Sequence, residues 1–455
     1  MLDSRCLSNP ESISPCRTWS RALRFGACLL LCVLANLSVS QEYTSVQRRQ
    51  AQAMLRDVTN DVRENYYDQH LHGVDWDAKV RGAKEKIDKA DSMNSALSVI
   101  AAVLDSLNDS HTLLIPPPRP YINDYGFEMQ MIGDRCYATH VRPGSDAATK
   151  GLMPGDQILT VNGYTPTRDS FSRMHYLFWI LRPQPGFRLS VRTPDGNVHQ
   201  IDVMAKFQER PNVRNLHDIT AYDLQREAER QRQGLGAHFV ERDNDLLVVK
   251  LDDFLISPII VDSIVSKMEG RKAVIFDLRG NPGGSEETLE HLLGTVLEHK
   301  VKIGDRVRKG KAIAINTELR LHKFPGRFIV LVDSRSTSAS EAFARVIQLE
   351  KRGTVIGDRT SGSVMAAVQF SHMTYGDRMG EFLFYGAEVT EADLIMADGQ
   401  SLEHKGVTPD QLILPTASDL ANGRDPVMAK AAELLNVKMT PEEAGALFPY
   451  EWPKE

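Results

Sequence analysis

"GRFIVLVDSRSTSASEAFARVIQLE", Gly326 to Glu350, is the stretch whose reading decides the fold. "RFIVLV" is a short, almost wholly apolar run, as expected of a strand buried on both faces. A serine-rich turn follows, with Ser334, Ser336, Ser338 and Ser340, and then a helical stretch beginning near "SEAF". Strand, turn and helix in that order put the hydroxyls at the carboxyl end of the strand. Two readings stay open on these residues alone. A serine before a helix is an ordinary cap for unpaired N–H groups, or it is a nucleophile that needs a base.

The same logic recurs upstream. In "RKAVIFDLRGNPGG", Arg271 to Gly284, an apolar strand runs into Asp277 and a glycine-rich turn precedes the helical "SEETLE". Backbone N–H groups in such a turn suit an anion. The spacing of a phosphate-binding loop, with its Gly-Lys-Ser/Thr ending, is absent. "LLVVKL", "KAVIFDL" and "RFIVLV" alternate with "EETLEHLLGTVLEH" and "SASEAFARVIQLE", which predicts an α/β layered core with buried parallel strands from about 208 to 440.

The chain has 455 residues, 42% apolar and 25% charged, with a formal net charge of −6. At roughly 100–200 residues per domain, two to four domains are expected. Lys and Arg form no concentrated stripe, so a nucleic-acid partner lacks its electrostatic footprint. Within the first forty residues, Arg17, Arg21 and Arg24 precede "FGACLLLCVLANLSVS". This is a secretory signal-peptide pattern, expected over 1–40 with cleavage after Ser40. The alternative, an uncleaved membrane anchor, has a shorter apolar run than the ~20 residues a spanning helix needs. Four of the five cysteines lie in this leader, leaving Cys136 alone and no intrachain disulfide in a mature chain. Export, to a periplasmic or extracellular location, is the expectation.

Apolar residues at three- and four-residue spacings predict an N-terminal helical domain over 41–116, ended by "PPPRP". From 117 to 207, short alternating strands separated by Gly, Pro and Asp turns predict a β-rich module. "PGSDAATKGLMPGDQILTVNG" and "YGFE" make it resemble a PDZ domain. That resemblance implies peptide capture by strand addition, with Tyr125, Gly126, Phe127 and Glu128 at the carboxylate-binding loop. A charged helical insertion is expected near 214–236 and a tail over 441–455. The fold class is thus α/β and α+β multidomain.

"DLRGNPGG", "STSASEAF", "GDRTSG" and "LEHKGVTPD", in this order after a PDZ-like module, resemble the tail-specific or C-terminal processing peptidases and the related core of tricorn protease. The resemblance implies Ser338 as nucleophile, three residues before Glu341. It also implies the N–H groups of Gly284 and Ala339 as oxyanion donors. The lysine of the family's Ser–Lys dyad is missing, since "TSGSVM" carries Ser363 in its place. "LNDSHTLL" resembles instead the Ser–His pair of the tricorn branch, implying His111 as base, Ser110 as supporting hydroxyl and Glu403 as the orienting carboxylate. Imidazole suits the part because it exchanges a proton near neutral pH.

Ser361 and Ser363 read as loop residues and Asp410 as structural. His70 and His72 have no metal-binding company, and no metal or cofactor is expected. The sequence therefore points to an exported serine endopeptidase acting on peptides or unfolded protein C-termini. The rivals are a catalytically inactive peptide-binding scaffold of the same fold and another acyl hydrolase. No stable membrane span is expected after removal of the leader.

Overall fold

The computed structural model describes residues 43–209, 236–242, 245–318, 323–376 and 382–452. The expected leader and nearly all of the expected helical insertion lie outside the described residues. From Ser45 onward the chain forms one unit. It opens with helices α1 (Ser45–Asn65), α2 (Trp76–Asp88) and α3 (Met93–Asp105). Asp75 and Ser92 cap α2 and α3 by accepting from the N–H groups of Ala78 and Ser95. Ala51, Met54, Leu55, Val58 and Val62 form the buried stripe of α1.

Strand β1 (Leu113–Ile115) follows, then β2 (Tyr121–Asp124), β3 (Phe127–Ile132), β4 (Arg135–Val141), the short helix α4 (Asp146–Thr149) and β5 (Gln157–Val161). Helix α5 (Phe171–His175) continues as a wider turn over Tyr176–Leu181, before β6 (Gly186–Arg192), β7 (Val198–Met204) and β8 (Lys206–Glu209). Strands β3 to β7 form one antiparallel sheet in chain order, so β3 is an edge with β4 as its neighbour. Phe127, Met129 and Met131 alternate into this sheet's core, while Glu128 and Gln130 occupy the other face.

The larger core is built on β9 (Ala237–Arg242), β10 (Leu246–Leu251), β11 (Ala273–Asp277), β14 (Arg327–Val332), β15 (Thr354–Gly357) and β18 (Gln411–Leu412). Between them come α6 (Pro258–Met268), α7 (Glu286–Val296), β12 (Lys302–Arg308), β13 (Lys311–Asn316), α8 (Ala339–Leu349), β16 (Met365–Tyr375) and β17 (Phe382–Met396). The six-stranded sheet has the order β18-β15-β14-β11-β10-β9, parallel except for β9. Phe328, Val330 and Val332 pack with α6, α7 and α8, whereas Ile329 and Leu331 pack the opposite face. Burial on both faces explains why "RFIVLV" shows no polar alternation. A second sheet joins β1, β17, β12 and β13, with β16 also on β17, and α1 lies against its β16–β17 hairpin.

Helices α9 (Ala417–Ala421), α10 (Pro426–Leu434) and α11 (Pro441–Gly445) close the described chain. Within the C-terminal segment after 441, Ala444 joins the core under α10. Tyr450 then stacks on His140 at 4.0 Å, and Arg142 lies 4.7 Å above the Trp452 ring. No described helix is long and apolar enough to cross a membrane.

Asp277, at the end of β11, is fully buried and bidentate to Arg279, which also grips Asp425, the N-cap of α10. Burial pushes the Asp277 carboxyl up, but Arg279 and Lys250 outweigh it and bring it down to about 2. The depressed carboxyl therefore stabilises the fold above the ordinary carboxylate range, and that contribution is lost as pH falls toward 2. Arg279→Met leaves the carboxylate unpaired and is expected to lower stability by about 3–5 kcal/mol at neutral pH. Urea unfolding should show the difference between variant and parent narrowing in acid.

Candidate active site

Three of the four serines in the turn after β14 have structural partners. Ser336, fully buried, donates its hydroxyl to the Leu278 carbonyl at 2.7 Å and accepts from the Asp333 N–H. Ser340 donates to Asn281 Oδ1 at 2.7 Å, and Ser334 to the Met131 carbonyl of β3. Ser338 stands apart. It occupies the N-cap of α8 at φ 54° and ψ −119°, a conformation costly for a residue with a Cβ. Its side chain and that of Glu341 form a capping box at the start of α8, in the sharp strand-to-helix turn that can also present a serine as nucleophile.

The glycine-rich turn presses against it. A Cβ on Gly283 would sit 2.6 Å from the Ser338 Cβ and 2.8 Å from the Ala339 nitrogen, so a side chain has no room there. On Gly284 it would meet the Phe254 backbone at 2.6 Å. Among the described residues, neither the Gly284 N–H nor the Ala339 N–H has a hydrogen-bond acceptor. By contrast the Gly283 N–H is bound to Asn281 Oδ1 at 2.8 Å. The two expected oxyanion donors are thus uncommitted N–H groups flanking the Gly283–Ser338 contact.

The turn between α3 and β1 supplies the second cluster. Ser110 donates its hydroxyl to Glu403 Oε2 at 3.0 Å and lies 2.7 Å from His111 Nδ1. The Ser110 N–H also donates to Glu403 Oε1 at 2.8 Å. One hydroxyl carries one proton, and with that proton on Glu403 the Ser110 oxygen must accept from Nδ1–H. This assigns the tautomer whose Nε2 has a free lone pair. Burial pushes the imidazole below its ordinary value, opposed by the charge of Asp109. Burial raises the Glu403 carboxyl, opposed by donors from Val364 and Ser110.

No hydrogen bond joins the His111 ring to Ser338. The loop of residues 360–364 connects the clusters instead. The Ser338 N–H donates to the Ser363 carbonyl at 2.8 Å, and the next N–H, of Val364, donates to Glu403 Oε2 at 2.9 Å. Glu341, wholly buried, accepts from Thr360 Oγ1 at 2.5 Å and from the N–H groups of Gly362, Ser363 and Ser338 at 2.8, 3.0 and 3.1 Å. Ser363, read from sequence as a loop residue, therefore bonds Ser338 through its main chain. Asp410 accepts from the Val355 N–H at 2.8 Å, a structural contact. Sequence reasoning gave no role to Glu341 or to Asn281, whose importance rests on contacts between distant segments.

At the β-rich module, Tyr125 and Phe127 are core residues, and the Tyr125 hydroxyl donates to the Gln184 carbonyl at 2.7 Å. The Gly126 N–H is bound to Asp124 at 2.9 Å. Glu128 faces outward, 3.7 Å from Arg335, and bonds Tyr450. Gln130 donates to Asp333 Oδ2 at 2.7 Å. Edge strand β3 thus touches the turn that leads into Ser338. A groove of about 2090 Å³ runs past Gln130, His140, Asp333, Arg335, Phe448 and Tyr450, without reaching Ser338 or His111.

Residues 245–413 match Peptidase family S41. Relatives of this chain include a putative tricorn protease homolog 2 of Streptomyces coelicolor, 24% identical over 82% of this chain and 31% of that protein. Another is the carboxy-terminal processing protease CtpA of Bacillus subtilis, 24% identical over 58% of this chain and 50% of that protein. A probable CtpA-like serine protease of Staphylococcus aureus is also 24% identical, over 63% of this chain and 52% of its own length. The chain therefore spans between about a third and a half of the curated relatives it matches. The matching family is one of peptidases, and the Staphylococcus aureus relative is named a probable serine protease. The mature CPAF structure shares the fold at a TM-score of 0.59 and 14% identity, covering 83% of this chain and 95% of that one.

Glu341 provides a test of the loop linkage. Burial raises its carboxyl to about 7 against four donors that lower it. A raised carboxyl favours the protonated fold, so its contribution is full below the ordinary carboxylate range and is lost as pH rises through about 7. In urea unfolding at pH 5 and pH 7.5, Glu341→Gln is expected to flatten this part of the pH dependence. An unchanged slope would refute the assignment.

Proposed function

We propose that the chain is an exported serine endopeptidase that cleaves peptides or C-terminal segments of proteins through an acyl-enzyme. The observation that carries the reading is the relay Glu403–Ser110–His111, which presents an unprotonated Nε2 within a cluster tied by one loop to a strained serine. Ser338 Oγ attacks the scissile carbonyl as His111 Nε2 takes its proton. The N–H groups of Gly284 and Ala339 hold the developing oxyanion, a contribution of roughly 3–4 kcal/mol per donor. His111 then protonates the leaving amine, and water, activated by the same imidazole, releases the acyl product. Ser110 and Glu403 keep the ring in the productive tautomer, so the site does without the dyad lysine that Ser363 replaces.

Peptide substrates are supported by the named processing proteases among the relatives and by the edge position of β3 in the PDZ-like module. Strand addition there would bring a peptide beside Gln130 and Glu128, whose partners Asp333 and Arg335 precede the nucleophile. Module boundaries at 117–207 follow from this reading, with the helical region over 41–116 and the peptidase core over 208–440. Export is supported by the leader at 1–40.

A fluorophosphonate probe is expected to label Ser338, with labelling absent from Ser338→Ala. An unlabelled, folded parent would turn the assignment toward a peptide-binding scaffold. His111→Ala is expected to lower kcat by about 10⁴-fold or more, because nucleophile and base act as a unit. The lowered imidazole keeps His111 neutral in mild acid, so the acid limb of kcat/KM should fall below pH 6.5.

A further inference from the structure

The relay leaves one question open: what holds the His111 main chain while its ring exchanges a proton. The carboxylate two residues earlier answers it. Asp109 Oδ1 accepts from the N–H groups of His111 at 3.0 Å and Thr112 at 2.7 Å, and from Thr390 Oγ1 on β17 at 2.8 Å. Its other oxygen accepts from the Tyr66 hydroxyl at 2.6 Å. Tyr66 is 1% exposed and directly follows α1, while the N–H of its neighbour Tyr67 donates to the Thr390 carbonyl at 3.1 Å. A single carboxylate therefore ties the base loop to the second sheet and to the N-terminal helices.

We propose that Asp109 is a positioning residue for the base: it clamps the His111 backbone from below while Ser110 and Glu403 orient the ring from the side, and Tyr66 anchors the clamp to α1. The inference rests on His111 as base. Oδ1 gathers three of the four accepted bonds and Oδ2 takes the Tyr66 hydroxyl, so the carboxylate is held from both of its oxygens. Charge adds a second effect. Asp109 acts on His111 in the direction that favours the imidazolium formed during attack. Titratable groups around this corner are Glu403 and His404 from the turn after β17, Glu388 on β17, Asp393 further along it, and Tyr66, Tyr67 and His72 after α1. Asp109 faces the His111 imidazole among them, and its charge opposes the effect of burial.

Asp109→Asn, Asp109→Ala and Tyr66→Phe, made in the full chain beside His111→Ala, test this with a peptide substrate and thermal melts. Asp109→Ala is expected to lower kcat about 100-fold with KM changed less than about threefold, because the loss lies in alignment rather than binding. Asparagine keeps an acceptor for the His111 N–H and should recover about tenfold of that loss. It also removes the charge, so the acid limb of its kcat/KM should move to lower pH than in the parent. Tyr66→Phe should lower kcat with KM unchanged and the limb unmoved. Undiminished Asp109 variants beside a dead His111→Ala would overturn the proposal alone. So would losses that asparagine does not relieve and that follow only a lowered melting temperature. An undiminished His111→Ala would overturn the base assignment itself, and the proposal with it.

Discussion

The rest of the site depends on one buried amide. Asn281 has no exposed surface, and its side chain donates to the Leu251 carbonyl at 2.8 Å while accepting from the Gly283 N–H and the Ser340 hydroxyl. Its carbonyl accepts from the Thr337 N–H at 3.0 Å. The end of β10, the glycine turn after β11 and the serine turn after β14 are thereby held in one arrangement. A buried amide left without these partners would cost about 1–3 kcal/mol for each unmade bond. With them made, the turns on either side of Ser338 are held from several directions, which is how a fold retains a strained residue.

Three buried carboxylates near this point follow different electrostatic logic. Asp277 has Arg279 and Lys250 beside it and stays ionised. Glu341 has only neutral donors, so desolvation dominates and its carboxyl rises to about 7. Glu403 is likewise raised by burial, with hydrogen bonds to Ser110 and Val364 offsetting part of the rise. The distinction matters because an ion pair holds β11 to α10, whereas hydrogen-bond networks without a cation hold the two halves of the site. Such networks specify geometry when every member is satisfied, and the 360–364 loop is satisfied from both sides.

Much of the proposed site was legible. "STSASEAF" and "DSHT" could be read as nucleophile and base contexts because strand–turn–helix order and a motif resemblance are local properties. The buried parallel strands were legible for the same reason, through unbroken apolar runs such as Arg327–Val332. The packing of α11 and the aromatic contacts of Tyr450 and Trp452 were not, since a short polar segment after the last long helix reads as a tail. Nor was Asp109, whose partners lie 43 residues before it, at Tyr66, and 281 after it, at Thr390. Sequence could have raised Asp109 only through its position two residues before His111, where an aspartate commonly closes a turn on its own backbone.

By itself, the sequence determined the order of strands, turns and helices and the residue types available for acyl chemistry, because propensity, periodicity and turn chemistry act over a few neighbouring residues. Tertiary structure decided which serine of four takes the strained conformation at the start of α8, which tautomer His111 carries and in which direction burial and neighbours shift each carboxylate. Those outcomes depend on burial and on hydrogen-bond partners hundreds of residues away. No local pattern encodes them, since they exist only once the layers have packed.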